Sequence, residues 1–258
     1  MPVVRLEKQD AVGHLVLDRP PANSYDKAFL DDLSLAIDEA RFDPAVKGLV
    51  VRSASEKFFS AGADVKMFAS TDAAYQAAFV IHANEIMSKL ERTAKVVVAA
   101  INGHCLGGGL EIALCCDFRF AAEGGYNIGL PEVTLGVLPG TGGTQRLPRL
   151  IGRQKALDLM LRGAAVQPAE AKELGIVDEV YPPGELRQRA HDYVAALVTG
   201  PTLAIGKIKL ATVLGGGMAF QDGMLYEHEA VGRLFASADA KEGVTAFAEK
   251  RKPSYTGR

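Results

Sequence analysis

The chain has 258 residues, of which 48% are hydrophobic and 23% are charged, and its formal net charge is −2. A globular chain of this size can bury roughly three quarters of its unfolded surface, which predicts one main domain. The near-neutral charge gives no long-range field that would gather nucleic acid or an anionic membrane, so we expect neither as a partner. No signal-peptide pattern occurs, and no apolar run reaches the roughly 20 residues of a membrane span, so we expect a cytoplasmic protein.

The first two thirds of the chain alternate between short apolar strands and helical segments. In chain order the pattern predicts a strand hairpin at 3–6 and 13–18, a helix at 26–41, a strand at 46–52, a helix at 73–92 and a strand at 96–101. Glycine-bearing loops follow two of the strands, at 58–64 and 107–109. Short buried strands separated by helices favour an α/β fold with a largely parallel sheet and right-handed crossovers.

The last third of the chain is helical in pattern. Helices are predicted at 156–161, 168–174, 185–197, 203–214 and 221–235. The last of these have mixed faces, which suit packing on the core or on another subunit. The three cysteines, Cys105, Cys115 and Cys116, form no CxxC pair, so we expect reduced thiols in the core.

The two glycine loops are the strongest local signals for chemistry. Residues as small as those of the first loop let a backbone N–H approach a ligand without an intervening side chain. The second loop, Gly107-Gly108-Gly109, is predicted to open a helix that ends near Cys116, and the free amides at a helix start favour negative charge. One amide from each loop would form an oxyanion hole.

Two glutamates lie close to these loops in otherwise apolar stretches. Glu111 is just inside the predicted helix, and Glu132 follows a proline in a separate apolar segment. Each could be an ordinary helix-start or loop carboxylate. In a dry cleft, however, two carboxylates can position one water, with one taking its proton and the other giving a proton to carbon. Their titrations would then be coupled.

Other kinds of site are poorly supported by the sequence. The five histidines are scattered without metal-ligand spacing, and His104 beside Cys105 is more typical of a packed pair than of a zinc site. No serine lies in a GxSxG turn. The stretch Gly140-Thr141-Gly142-Gly143 has neither the spacing of a dinucleotide loop nor the lysine of a phosphate loop. We therefore expect neither metal nor serine-hydrolase chemistry.

Five motifs together resemble the enoyl-CoA hydratase (crotonase) family, and they cover essentially the whole chain. They are SAGADVK at 60–66, INGHCLGGGLEIALCCDFR at 101–119, LPEVTLGVLPGTGGTQRLPRLIG at 130–152, AKELGIVDEV at 171–180 and FAEKRKPSYTGR at 247–258. The resemblance implies a core of repeated ββα units wound as a spiral, over residues 1–195, and a C-terminal helical trimerisation region over 196–258. It also implies a homotrimer or a dimer of trimers.

The same resemblance assigns roles to individual residues. It implies hydration of a trans-2-enoyl-CoA to a 3-hydroxyacyl-CoA with no cofactor besides the CoA of the substrate. The oxyanion amides would be those of Ala63 and Gly108. Glu111 would help to activate water, and Glu132 would exchange a proton with the α carbon. Because family isomerases, decarboxylases and dehalogenases typically lack one of these glutamates, having both favours hydration.

The resemblance also implies a set of substrate-binding and CoA-binding positions. These are Lys27, Ala61, Ala63, Asp64, Val65, Lys66, Gly107, Gly108, Pro131, Leu138 and Gly140. An acyl pocket lined by Met67, Phe68, Tyr75 and Leu138 would favour an apolar tail. Lys66, Lys250 and Lys252 are further candidates for CoA phosphates, although solvated lysines are the commoner case.

The chain departs from the family pattern at two places. Residues 23–27 read Asn-Ser-Tyr-Asp-Lys where many relatives have an Asn-Ala-Leu-like run, which puts the CoA contact of Lys27 in doubt. Leu130 stands where a polar residue is frequent, which bears on the acyl pocket.

Three alternative functions stay open from the sequence. One is a Δ3,Δ2-enoyl-CoA isomerase or a hydratase specialised for branched or dicarboxylic acyl groups. Another is RNA binding, as reported for some relatives, although the balanced charge disfavours it. A third is a non-catalytic subunit, which is the least attractive because both glutamates are present.

Overall fold

The computed structural model describes residues 2–258, and its centre is a six-stranded sheet. Along this sheet the order is β1 (Val4–Gln9), β2 (Val12–Leu17), β3 (Gly48–Ser53), β5 (Val96–Ile101), β7 (Phe118–Ala122) and β10 (Glu179–Tyr181). Only the β1–β2 hairpin is antiparallel; the other neighbours are parallel. Strand β5, with the sequence VVVAAI, is buried throughout, as an interior strand of a parallel sheet should be.

A second, smaller sheet contains the short strands that follow those of the large sheet. Its order is β4 (Phe58–Ser60), β6 (His104–Leu106), β8 (Ile128–Gly129) and β9 (Ala165–Val166). The chain passes from β3 to β4, from β5 to β6 and from β7 to β8. After β4 and after β6 the chain continues into helices, which completes two ββα units. The expected α/β spiral of ββα units with C-terminal helices is therefore confirmed.

The helices of the core flank these sheets and position the loops of the site. They are α1 (Lys27–Phe42), α2 (Val65–Ser70), α3 (Ala73–Glu91), α4 (Gly108–Leu114), α5 (Gly143–Ile151), α6 (Arg153–Arg162), α7 (Pro168–Leu174) and α8 (Leu186–Val198). Helix α1 begins where the sequence predicts, because the Asp26 carboxylate accepts the N–H of Phe29 as an N-cap.

The C-terminal region consists of α9 (Thr202–Gly215), α10 (Phe220–Phe235) and α11 (Ala238–Ala248). The last residues fold back onto α11, since Asp239 accepts the N–H groups of Thr256 and Gly257. The division at 195/196 and the trimerisation role stay predictions. Within residues 2–258 no single helix is long and apolar enough to cross a membrane; α8 and α9 reach that length and hydropathy only together, and are bent by 108°.

Several elements differ from the sequence prediction. The helix that was expected to end near Cys116 ends at Leu114, because Asp117 bonds to Val97 of the neighbouring strand β5 just before β7 begins at Phe118. Helices α2, α5 and α11 and the short strands were not predicted. Strands of two or three residues carry no period, and α5 begins at a glycine and contains Pro148. The three cysteines are buried free thiols, as expected.

Candidate active site

The loop after β4 lies directly against the N-terminus of α4. A Cβ on Gly62 would lie 2.8 Å from the amide nitrogen of Gly108 and 2.9 Å from the carbonyl oxygen of Leu106. Gly62 also has a φ of +86°, which favours glycine. Only glycine therefore lets the two glycine loops touch, and this contact brings Ala63 beside Gly108.

Two backbone amides at this contact have no acceptor in the part of the chain that the structure describes. Ala63 forms a parallel bridge with Tyr25, which donates its N–H to Gly62 and accepts the N–H of Asp64, both at 2.9 Å. That pattern leaves the N–H of Ala63 on the opposite side of its strand. Gly108 is the first residue of α4, so its N–H has no helical partner. Within residues 2–258 neither N–H donates to a protein acceptor.

Glu111 is buried on α4, with only 2% of its surface exposed, and a turn of the chain holds its carboxylate. One oxygen accepts the N–H of Thr141 at 2.8 Å and that of Gly143 at 2.7 Å. The other accepts the Thr141 hydroxyl. Burial raises the pKa of Glu111, and these three hydrogen bonds oppose that rise because they favour the charged form.

The turn that holds Glu111 is itself tied to α3. Asn84 donates to the carbonyl oxygen of Gly140 at 2.8 Å. Arg146 donates to the carbonyl oxygen of Thr141 at 3.0 Å and makes a bidentate ion pair with Glu91 at 2.8 and 2.9 Å. Bidentate pairs fix geometry as well as charge. The turn therefore lies between Glu111 on one side and an ion pair on the other.

Glu132 lies in a very different environment. It begins a 3₁₀ turn, Glu132–Leu135, and its Oε2 atom is buried without a hydrogen-bond partner among residues 2–258. Burial raises the pKa of this carboxyl to about 7, and the negative charge of Glu111 adds to the rise. A Cβ on Gly107 would lie 3.0 Å from Glu132 Oε1, so the carboxyl borders the start of α4.

The two carboxyl groups are thus set up for opposite roles. Three donors favour the ionised form of Glu111, whereas one oxygen of Glu132 has no donor among residues 2–258. An ionised carboxylate accepts a proton, and a carboxylic acid whose pKa lies near neutrality gives one up. The same residue type thus occupies two different environments at this site, and such differences can separate a base from an acid.

The structure places the predicted binding residues in several different settings. Ala61, Ala63, Gly107, Gly108 and Pro131 border the loops described above, and Asp64 caps α2 through the N–H of Lys66. Three predicted residues have exposed side chains: Val65, Lys66 and Leu138. Gly140 belongs to the turn that holds Glu111. Lys27 pairs with Asp31 on α1 at 2.7 Å, a local i,i+4 ion pair. Whether any of these residues contacts CoA stays a prediction.

Sequence reasoning missed the partners of Glu111. Thr141 and Gly143 were weighed only as a weak phosphate loop, whereas their amides hold the carboxylate of Glu111. Tyr25 was noticed only as a departure from the family pattern, yet its hydroxyl lies 3.5 Å from that of Thr141. Glycines and a threonine next to a helix start could have indicated an anion-binding turn, but not that the anion is a side chain.

Comparisons with known proteins decide the family. A sequence model described as enoyl-CoA hydratase/isomerase matches residues 7–258. The chain belongs to the enoyl-CoA hydratase/isomerase family. It is 37% identical over 254 residues to a crotonyl-CoA hydratase of Syntrophomonas wolfei, covering 98% of this chain and 97% of that one.

Further relatives agree with this family assignment. An enoyl-CoA isomerase/hydratase of Mycosarcoma maydis is 36% identical over 255 residues, covering 96% of this chain and 93% of the relative. The crystal structure of an enoyl-CoA hydratase from Geobacillus kaustophilus superposes with a TM-score of 0.97 at 44% identity, covering 100% of this chain and 98% of that one. The match extends through the C-terminal helices.

Proposed function

We propose that this protein adds water reversibly across the double bond of a trans-2-enoyl-CoA to give a 3-hydroxyacyl-CoA. The single observation that supports it best is the pairing of a triply hydrogen-bonded carboxylate, Glu111, with a carboxyl of raised pKa, Glu132. The Glu132 carboxyl borders the start of α4, where the N–H of Gly108 lies, and Glu111 is three residues further along the same helix. Family membership and the hydratase names of its relatives point to the same reaction.

The proposed mechanism follows from these groups. The Ala63 and Gly108 amides hold the thioester oxygen, which gains negative charge as water adds to C3. The Glu111 carboxylate takes one proton from that water. The protonated carboxyl of Glu132 gives its proton to C2, and the thioester carbonyl re-forms. One proton has then moved from Glu132 to Glu111, and solvent returns it, so the net change is addition of one water.

Hydration is tested by following the loss of conjugated enoyl-thioester absorbance with trans-2-enoyl-CoAs of several chain lengths. The wild type should consume at least one of them rapidly. Glu132→Gln should lower kcat by roughly a hundredfold or more, because an amide cannot give a proton to carbon. No loss of absorbance on any chain length would refute the hydratase proposal.

The dependence on pH should follow the proton count of the two carboxyls. Hydration needs an ionised Glu111 and a protonated Glu132, and dehydration needs the reverse, so both directions need one proton on the pair. We expect kcat/KM to fall at low pH as the pair takes a second proton, and to fall above the Glu132 pKa of about 7 as the last proton leaves. Coincident bell-shaped profiles in the two directions would support this scheme, and a rise in rate above pH 8 would contradict it.

Double-bond migration is the alternative reaction, because one relative is named an isomerase/hydratase. Migration moves protons between C2 and C4 and adds no water, so Glu132 could perform it without Glu111. Incubation with 3-enoyl-CoA separates the two reactions. An isomerase would retain activity in Glu111→Gln, whereas a hydratase would not.

The assembly proposed for this chain is a homotrimer or a dimer of trimers, in the cytoplasm. Exposed apolar side chains on the C-terminal helices support an interface there. These side chains, exposed by 66% or more, are Phe220, Leu225, Phe235, Val244 and Phe247. Sedimentation equilibrium would measure the mass of the assembly.

A further inference from the structure

One buried residue contacts both glycine loops and the turn that holds Glu111, without belonging to the predicted machinery of the site. Tyr25 is 2% exposed and lies between β2 and α1, in the segment where this chain departs from the family pattern. Its ring packs between Phe29, at 6.2 Å between centroids, and Phe79, at 6.1 Å. The ring therefore has little freedom to move.

The backbone of Tyr25 orients the first oxyanion amide. Its N–H and carbonyl bond to Gly62 and Asp64, the residues on either side of Ala63. These two bonds set the direction of the intervening peptide, and with it that of the Ala63 N–H. A shift of Tyr25 would therefore turn this amide.

The side chain of Tyr25 supports the second oxyanion amide. A Cβ on Gly108 would lie 1.9 Å from the tyrosine hydroxyl oxygen and 2.5 Å from two ring carbons. The hydroxyl thus fills the space where a side chain at position 108 would be. Gly108 and the tyrosine ring are packed as a complementary pair.

The hydroxyl of Tyr25 also reaches the base. It lies 3.5 Å from the hydroxyl oxygen of Thr141, which bonds to the Glu111 carboxylate. A threonine hydroxyl has one proton, and an ionised carboxylate can only accept. Thr141 therefore donates to Glu111, and Tyr25 donates to Thr141. Burial raises the pKa of the tyrosine hydroxyl, so this donor keeps its proton at neutral pH.

We propose that Tyr25 is a positioning residue that aligns the Ala63 and Gly108 amides with the Glu111 carboxylate. It acts on Ala63 through its backbone, on Gly108 through its ring, and on Glu111 through the hydroxyl of Thr141. This inference rests on the proposed hydratase function. It adds to that function a residue that ties the oxyanion hole to the base, although it transfers no proton itself.

Tyr25→Phe tests the hydroxyl while keeping the ring. We expect kcat for hydration to fall about tenfold, because losing the support of one hydrogen bond in the transition state slows a reaction by about that factor. KM should change little. The acid limb of the pH profile should move to higher pH, because a carboxylate that loses hydrogen-bond support has a higher pKa. In a Thr141→Val background, Tyr25→Phe should cause no further loss, since the connecting hydroxyl is gone.

The matched control is Tyr126→Phe. Tyr126 is also buried, and the single proton of its hydroxyl is shared between the carbonyl oxygens of Ile101 and Ala122, at 2.8 and 2.7 Å. The Tyr126→Phe variant should have a lower thermal stability and an unchanged pH profile of kcat. A second probe, 3-fluorotyrosine at position 25, makes the hydroxyl a stronger donor, so the acid limb should move to lower pH. This opposite shift distinguishes positioning from lost packing.

Titration of the Glu111 carboxyl by ¹³C NMR, assigned with Glu111→Gln, provides a readout that does not need turnover. The pKa of Glu111 should be higher in Tyr25→Phe than in the wild type. If the wild type hydrates no enoyl-CoA, the proposed function fails, and this titration alone decides the role of Tyr25. Unchanged kcat, pH limb and Glu111 titration in Tyr25→Phe would overturn the inference.

Discussion

Glu111→Gln is expected to lower kcat for hydration by about a thousandfold while the fold is retained, which is within the range for loss of a general base. Glutamine has the same shape, so its amide oxygen can still accept the N–H groups of Thr141 and Gly143. Its amide nitrogen can donate to the Thr141 hydroxyl. What it cannot do is take a proton from water.

Steady-state assays of Glu111→Gln, with circular dichroism to verify the fold, measure this effect. Glu123→Gln is the matched control, because Glu123 is an exposed loop carboxylate and its replacement should leave kcat unchanged. The double variant Glu111→Gln/Glu132→Gln should lose little more than the worse single variant, since the two groups act in one step. A kcat within tenfold of the wild type in Glu111→Gln would exclude this residue as the base.

The second large effect is expected from Gly108→Ala. The added methyl would lie 1.9 Å from the hydroxyl oxygen of Tyr25, and that ring is held between Phe29 and Phe79. Either the ring or the Gly108 amide must therefore move. Overpacking a core costs about 1–3 kcal/mol, so we expect lower thermal stability. Loss of an oxyanion donor lowers kcat by about 10²–10³-fold, so we expect a fall in kcat of that size as well.

Calorimetry and steady-state kinetics measure the two consequences of Gly108→Ala separately. Gly125→Ala is the control, because a Cβ there meets no atom within 4 Å. Combining Gly108→Ala with Tyr25→Leu should restore part of the stability, since leucine does not reach the space of the tyrosine hydroxyl. Full activity and unchanged thermal stability in Gly108→Ala would contradict the close packing of Gly108 against Tyr25 on which this prediction rests.

Periodicity predicted the long elements well and the short ones poorly. Helix α3 and strand β5 were predicted to within one residue, because each carries a sustained apolar pattern and clear terminal signals. The short strands β6, β8 and β9 pair only with one another and with β4. Their two or three residues contain no period, so their pairing depends on the rest of the fold.

The site shows the same division between local and non-local information. Glu111 and Glu132 could be named from the sequence because acidic residues in apolar, glycine-rich stretches are unusual. Their different environments could not, because these depend on partners about 30 residues away for Glu111 and on one oxygen of Glu132 having no partner among residues 2–258. A pKa is set by burial and neighbouring charges, which exist only in the folded chain.

The sequence by itself determined the family, the α/β class, the two carboxyls and the two glycine loops, because these are properties of residue type and local spacing. Only the tertiary structure decided which amides lie free, which carboxyl accepts three hydrogen bonds, and that Tyr25 packs against Gly108 and lies beside Thr141. Those properties arise from contacts between segments distant along the chain, such as Tyr25 with Gly108 and Thr141. The free energy of such contacts depends on three-dimensional proximity, which no local pattern encodes.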